Sequence, residues 1–168
     1  EMGVWLTPPE IVQYQVARVD TVLREELGLL NGLADPNVIV LDPCCGTGAY
    51  LVEVLKRIAE TLKAKGGDAL DASDVKKAAM TRVFGFEILP APFVVSHLQL
   101  NLLLQQAGAP IDAESEERVG VYLTNALTGW EPPTDEKQHL IWDELEAERD
   151  AAEEVKREKK ILVILGNP

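Results

Sequence analysis

Apolar positions fall along this chain in two rhythms: short unbroken runs, and longer stretches in which they recur every three to four residues. The unbroken runs predict strands ending at Asp42, from Arg82 to Glu87, from Val119 to Leu123 and from Ile161 to Leu165. Between them lie helical patterns. Thr7-Pro8-Pro9-Glu10 has capping-box spacing and a proline-opened first turn, and predicts a helix to about Leu30, ended by Gly28, Asn31-Gly32 and Asp35-Pro36. From Thr47 onward Leu51, Val52, Leu55, Ile58, Ala59 and Leu62 share one face, with a stop at Gly66-Gly67. Ser73-Asp74 predicts the cap of a short helix through Met80, and Ala91 to Gln106 a long apolar helix closed at Gly108. The charged run Asp143 to Lys160 reads as a solvated helix inserted between the third and fourth strands, with a partner-binding helix as the alternative. Strands alternating with helices imply an α/β parallel sheet with helices on both faces.

The junction Val38 to Leu51 carries the most chemistry. Its strand delivers Asp42 to the carboxyl end of a buried sheet, the side on which open α/β sheets bind ligands, and Gly46 and Gly48 then allow a sharp turn into a helix. A dinucleotide fingerprint would need a third glycine where Leu51 stands, and a P-loop would need a Gly-Lys-Ser/Thr ending that the chain lacks. An acid aimed at the ligand suits a cationic or hydroxyl-bearing molecule better than a pyrophosphate. S-adenosylmethionine, with its ammonium, sulfonium and ribose hydroxyls, fits that description. Asp42 can equally be a strand-end residue holding turn amides, and the two roles are compatible. Glu87, ending the next strand, could accept both ribose hydroxyls or could cap the following helix.

Five segments together resemble the N6-adenine DNA methyltransferases. Asp42-Pro43-Cys44-Cys45-Gly46-Thr47-Gly48-Ala49-Tyr50-Leu51 is similar to that family's Asp-Pro-x-Cys-Gly-[Thr/Ser]-Gly-x-[Phe/Tyr]-Leu motif. Gly3 to Val12 is similar to its Thr-Pro segment, Gly85-Phe86-Glu87-Ile88-Leu89-Pro90 to its second-strand motif, and Leu123 to Leu127 to its third. Ile161 to Pro168 looks like the strand entering Asn-Pro-Pro-[Tyr/Phe], of which Asn167 and Pro168 match the first two positions.

The resemblance implies a Rossmann-like methyltransferase fold and transfer of the sulfonium methyl of S-adenosylmethionine to adenine N6 of a flipped base in double-stranded DNA, as in restriction-modification systems. It implies cofactor contacts at Thr7, Asp42, Pro43, Gly46, Gly48, Glu87, Ile88, Asn125 and Leu127, and catalytic roles for Asn167 and Pro168. Thr7 is also an adequate helix cap, and Asn125 a simple turn former. The expected organisation is a partial catalytic domain over residues 1–168: a helical segment at 1–35, then the cofactor-binding half of the sheet at 36–168, truncated after the fourth strand, with the charged insertion at about 140–160. Lacking the aromatic of the last motif, such a fragment should bind cofactor without turnover. Its open fourth strand suggests a possible dimer. The alternatives are a methyltransferase of another amine, in RNA or on protein glutamine, and a noncatalytic cofactor-sensing or assembly module.

Composition adjusts this picture in one respect. The 168 residues and 46% hydrophobic content suit a folded domain. No run approaches a membrane span, no signal peptide opens the chain, and Cys44-Cys45 read as reduced packing residues rather than a metal site, so a cytoplasmic protein without membrane contact is expected. The net charge of −12, however, does not suit a surface that grips phosphates, and places DNA contact outside these residues. Much of that acidity lies in the loop Asp112 to Glu117 and in the Asp143 to Lys160 run. His97 and His139 read as packing or surface residues rather than bases, and Trp130 as a loop-packing aromatic.

Overall fold

A computed structural model describes residues 6–66, 69–112, 114–131 and 143–168. Gly3 to Trp5, Gly67, Pro132-Pro133 and His139 therefore lie outside the described residues. Strands β1 (Val40–Asp42), β2 (Val83–Glu87), β3 (Val121–Leu123) and β4 (Val163–Ile164) form a parallel sheet in the order β3-β2-β1-β4. Helices α1 (Pro9–Glu25), α2 (Ala49–Ala64), α3 (Ala69–Thr81), α4 (Pro90–Gln106) and α5 (Asp143–Glu158) cover it. Among the described residues no helix is long and apolar enough to cross a membrane.

The period-two alternation of strand side chains sorts the core into two layers. Val40, Val83, Val121 and Val163 point to one face and meet Val12, Val16 and Leu23 of α1 and Leu51, Val54, Leu55 and Ile58 of α2. Leu41, Phe84, Phe86 and Tyr122 point to the other, where Ala152 and Val155 of α5 close over them. Gly85, in the middle of β2, faces the start of α2; a Cβ there would sit 2.6 Å from Leu51 Cδ1 and 3.0 Å from Cys45 Sγ, so only a bare backbone lets the helix seat so close.

Several local expectations need correction. Helix α1 has Pro8 as its N-cap with no side-chain capping bond, so Thr7 and Glu10 form no capping box. That helix ends at Glu25 rather than near Leu30, because Gly28 adopts φ +68° and the Leu29 amide turns back to the Leu23 carbonyl at 2.9 Å. Helix α2 begins at Ala49, two residues after Thr47. Ser73 and Asp74 do not cap α3, which starts at Ala69 and carries both inside it.

The charged run is the helix expected between the third and fourth strands, but it is not solvated all round. Helix α5 buries Ala152, Val155 and the stem of Lys156 against the second face of the sheet. It also finishes the β3 edge. Glu148 accepts from the Leu123 amide at 3.1 Å while forming a two-pronged pair with Arg118, at 2.6 and 3.1 Å, and Arg118 in turn donates to the Val121 carbonyl. His97 also engages that carbonyl, at 3.1 Å, as a half-buried packing residue.

Candidate functional site at the carboxyl ends of the strands

The turn from β1 into α2 builds the floor of the site. Gly46 and Gly48 have φ of +54° and +87°, values open to glycine and strained for other residues, and together they swing the chain upward before α2 begins. The Cys45 amide donates to the Phe86 carbonyl at 2.9 Å, tying the turn to β2. Cys45 is buried and Cys44 exposed.

Asp42 sits beneath this turn with only 1% of its surface exposed. Its Oδ1 accepts from the Cys44 amide at 3.1 Å, whereas its buried Oδ2 has no hydrogen-bond partner among the described residues. Burial raises its carboxyl to about 7, against the Cys44 amide, which favours the carboxylate, and with a smaller push from the charge of Glu87. Gly166, after β4, presses on it: a Cβ there would lie 2.3 Å from Asp42 Oδ1. Sequence reasoning missed Gly166, whose only signal is a glycine placed between a strand and Asn-Pro.

Glu87, at the end of β2, is 8% exposed. Its two carboxylate oxygens accept from the Gly46 amide at 2.9 Å and the Leu89 amide at 2.7 Å, so it joins the β1 turn to the start of α4. Glu87 is not the cap of α4, whose N-cap is Leu89 with no side-chain capping bond; it instead holds the amide of that N-cap residue from the end of β2. Each oxygen keeps a further lone pair for a hydroxyl donor.

Thr7 and Asn167 stand at opposite ends of the sequence and meet in space. The Asn167 side-chain amide donates to Thr7 Oγ1 at 3.2 Å. Both line a small cavity of about 60 Å³ shared with Cys44, Cys45, Gly46, Thr47 and Tyr50. A larger cavity, about 420 Å³, lies at the opposite, amino-terminal ends of the strands against Asn31, Lys77 and Arg82, away from these residues.

The remaining expected residues are more peripheral. Pro43 is half-buried within the turn, while Ile88 is 63% and Leu127 88% exposed, flanking the ends of β2 and β3. Asn125 uses its Oδ1 to accept from the Leu127 amide at 2.9 Å, the turn-forming role. Trp130 donates from Nε1 to the Ala126 carbonyl at 2.7 Å and packs edge-on to Phe86, a loop-packing aromatic. Pro168 is exposed beside Asn167. Lys156, another residue the sequence did not single out, reaches this loop from α5.

The chemistry of these residues suits a methyl-donor nucleoside such as S-adenosylmethionine. The orphaned Asp42 Oδ2 is a buried acceptor in want of a donor, Glu87 has acceptor capacity to spare, and the glycine turn offers close backbone approach. At about 60 Å³ the pocket between Thr7, the glycine turn and Asn167 has room for no more than one end of such a molecule.

Among solved structures, the chain superposes on the ATP-dependent Type ISP restriction-modification enzyme LlaBIII bound to DNA with a TM-score of 0.78 at 24% identity, covering 100% of this chain and 11% of that one. It matches a nuclease-deletion mutant of the Type ISP enzyme LlaGI in complex with a DNA substrate mimic at 26% identity and TM-score 0.75, covering 98% and 12%. The DrdV–DNA complex follows at 21% identity and TM-score 0.72, covering 98% and 14%. The chain thus spans roughly an eighth of the length of these proteins, with which it shares its fold. No curated protein sequence matches it. The N-6 DNA Methylase family profile matches residues 1–142, most of the chain, and by that match the chain belongs to the N-6 DNA methylase family.

Proposed function

We propose that this chain is the cofactor-binding part of an S-adenosylmethionine-dependent DNA methyltransferase that modifies adenine N6, working within a restriction-modification polypeptide in the cytoplasm. The observation that carries the reading is the convergence of Thr7, Asp42, Gly46, Glu87 and Asn167, from four separate segments, on one rim of the sheet. Residues 1–35 supply Thr7 and the α1 buttress, and residues 36–168 the rest of the crevice.

Asp42 and the glycine turn would hold the amino-acid end of the cofactor, and Glu87 the ribose hydroxyls, with Ile88 and Leu127 offering apolar surface to the heterocycle. When bound, S-adenosylmethionine supplies an electrophilic methyl group on a sulfonium. The chain's own contribution to the acceptor would be Asn167: with its amide nitrogen donating to Thr7, its Oδ1 would serve to accept from an exocyclic amine. Such a bond draws electron density toward the amine nitrogen and makes it a better nucleophile. The DNA-bound state of the solved relatives supports DNA as the substrate. The charge of −12 assigns phosphate contact to other parts of the assembly.

Calorimetric titration with S-adenosylmethionine and S-adenosylhomocysteine tests the reading. Saturable binding is expected, weakened at least about tenfold in Glu87→Ala by loss of charge-assisted hydrogen bonds. Binding that Asp42→Ala and Glu87→Ala leave unchanged would put the ligand elsewhere.

A further inference from the structure

We propose that Lys156 is a positioning residue for the cofactor crevice, fixing from α5 the loop of residues 124–128 that follows β3 and adjoins Glu87. The proposal rests on the function argued above and adds to it a residue from the charged helix, outside every motif.

The geometry is specific. Lys156 is 5% exposed, and its Nζ donates to Thr124 Oγ1 at 3.0 Å and to the carbonyls of Asn125 and Thr128, each at 2.7 Å. An ammonium has three protons, and three oxygens within five residues of one loop take them all. The charge also rests 5.0 Å from the centre of the Phe86 ring, the residue just before Glu87. None of the three acceptors is a carboxylate, so this is not an ion pair that happens to lie near a loop; the ammonium acts as the hub around which the loop is wound. An aliphatic side chain could fill the same space without desolvating a charge, so what Lys156 adds beyond packing is those bonds.

Among the described residues few other hydrogen bonds tie the loop to the rest of the fold. Asn125 Oδ1 takes the Leu127 amide and Trp130 takes the Ala126 carbonyl, both bonds internal to the segment. Its ties to the sheet are the Thr124 amide, which donates to the Glu87 carbonyl at 2.8 Å, the packing of Ala126 against the Phe84, Phe86 and Tyr122 layer, and the edge contact of Trp130 with Phe86; none of these is a polar bond to the loop's middle. Lys156 therefore sets where the middle of the loop, with Leu127 at its tip, stands relative to Glu87.

The test is titration with S-adenosylhomocysteine of the unmodified chain, Lys156→Met and the exposed-site control Lys160→Met, with amide hydrogen exchange read in parallel. Lys156→Met is expected to weaken binding about tenfold or more, the scale of lost hydrogen bonds to a charged group, and Lys160→Met to leave it unchanged. Ligand-induced slowing of exchange should vanish at residues 124–128 yet persist at the Cys44–Gly48 turn, a contrast that general loss of stability would not give. Affinity within about twofold of the unmodified chain, at the resolution such hydrogen-bond effects allow, overturns the inference and leaves the function standing. Absence of binding by the unmodified chain overturns the function and the inference together. Should the methionine variant fail to fold, Thr124→Val removes one acceptor without touching α5: weakened binding supports the proposal, and unchanged binding overturns it.

Discussion

At the scale of single residues, Asp42 makes the sharpest claim. Folding raises its carboxyl to about 7, so between the usual carboxylate range and that value the folded chain holds a proton that the unfolded chain has released. Stability must then fall as pH rises across that window, by about 1.36 kcal/mol per pH unit for this one group, and level off above it. Denaturant unfolding from pH 5 to pH 8 should show the decline, flattened in Asp42→Asn; an equal slope in that variant would assign the effect to another group. A cationic ligand at the orphaned Oδ2 would restore the ionised form, so binding below about pH 7 should release a proton and tighten as pH rises. Calorimetry in buffers of different ionisation enthalpy counts that proton. Gly166 gives a second test: Gly166→Ala would drive a methyl to 2.3 Å from Oδ1, and a cost of about 1–3 kcal/mol is expected by thermal unfolding. Asp42 and Glu87 were legible in the sequence because strand-end acids follow apolar runs. Gly166 was not, because nothing in a linear pattern says which backbone will pass over which carboxylate.

Elements were legible where their hydrophobic stripe was wide and missed where it was narrow. Helix α2 announces itself with Leu51, Leu55 and Ile58, whereas α5 hides its buried side in Ala152 and Val155 amid sixteen residues that are mostly charged. Two small apolar residues suffice because Phe84, Phe86 and Tyr122 supply the bulk from the sheet beneath. Lys156 reads as one more surface charge until three loop oxygens are seen around it. If α5 is a structural wall, Ala152→Asp should destabilise the chain by roughly 3 kcal/mol or more, since it buries an unpaired charge, while Glu144→Ala on the exposed face should stay within about 0.5 kcal/mol. Equal, small effects in denaturant unfolding would return α5 to the status of a solvated insertion. The boundary errors have an equally local cause: α1 stops where a left-handed Gly28 permits the chain to fold back, well before its apolar pattern runs out.

For the molecule as a whole, the two margins of the sheet differ, and the difference predicts behaviour. On β3 the Val121 carbonyl is taken by Arg118 and His97 and the Leu123 amide by Glu148, so that edge is a poor template for another strand. On β4 the amides of Val163 and Leu165 turn inward to Ile39 and Leu41, which leaves the Ile164 peptide groups facing away from β1, with the Ile164 side chain 68% and Leu162 49% exposed. An apolar strand margin of this kind can pair with another strand, and in a solution of this chain the expected partner is a second copy. Light scattering over a concentration series should therefore show association, and Ile164→Lys, which sets a charge on the open margin while leaving the inward ladder intact, should shift the chain toward monomer. Replacing Glu148 by Ala should do the converse at the other margin, uncovering the Leu123 amide and strengthening association. A chain that stays monomeric throughout, or associates equally in both variants, would mean that neither strand margin governs its contacts.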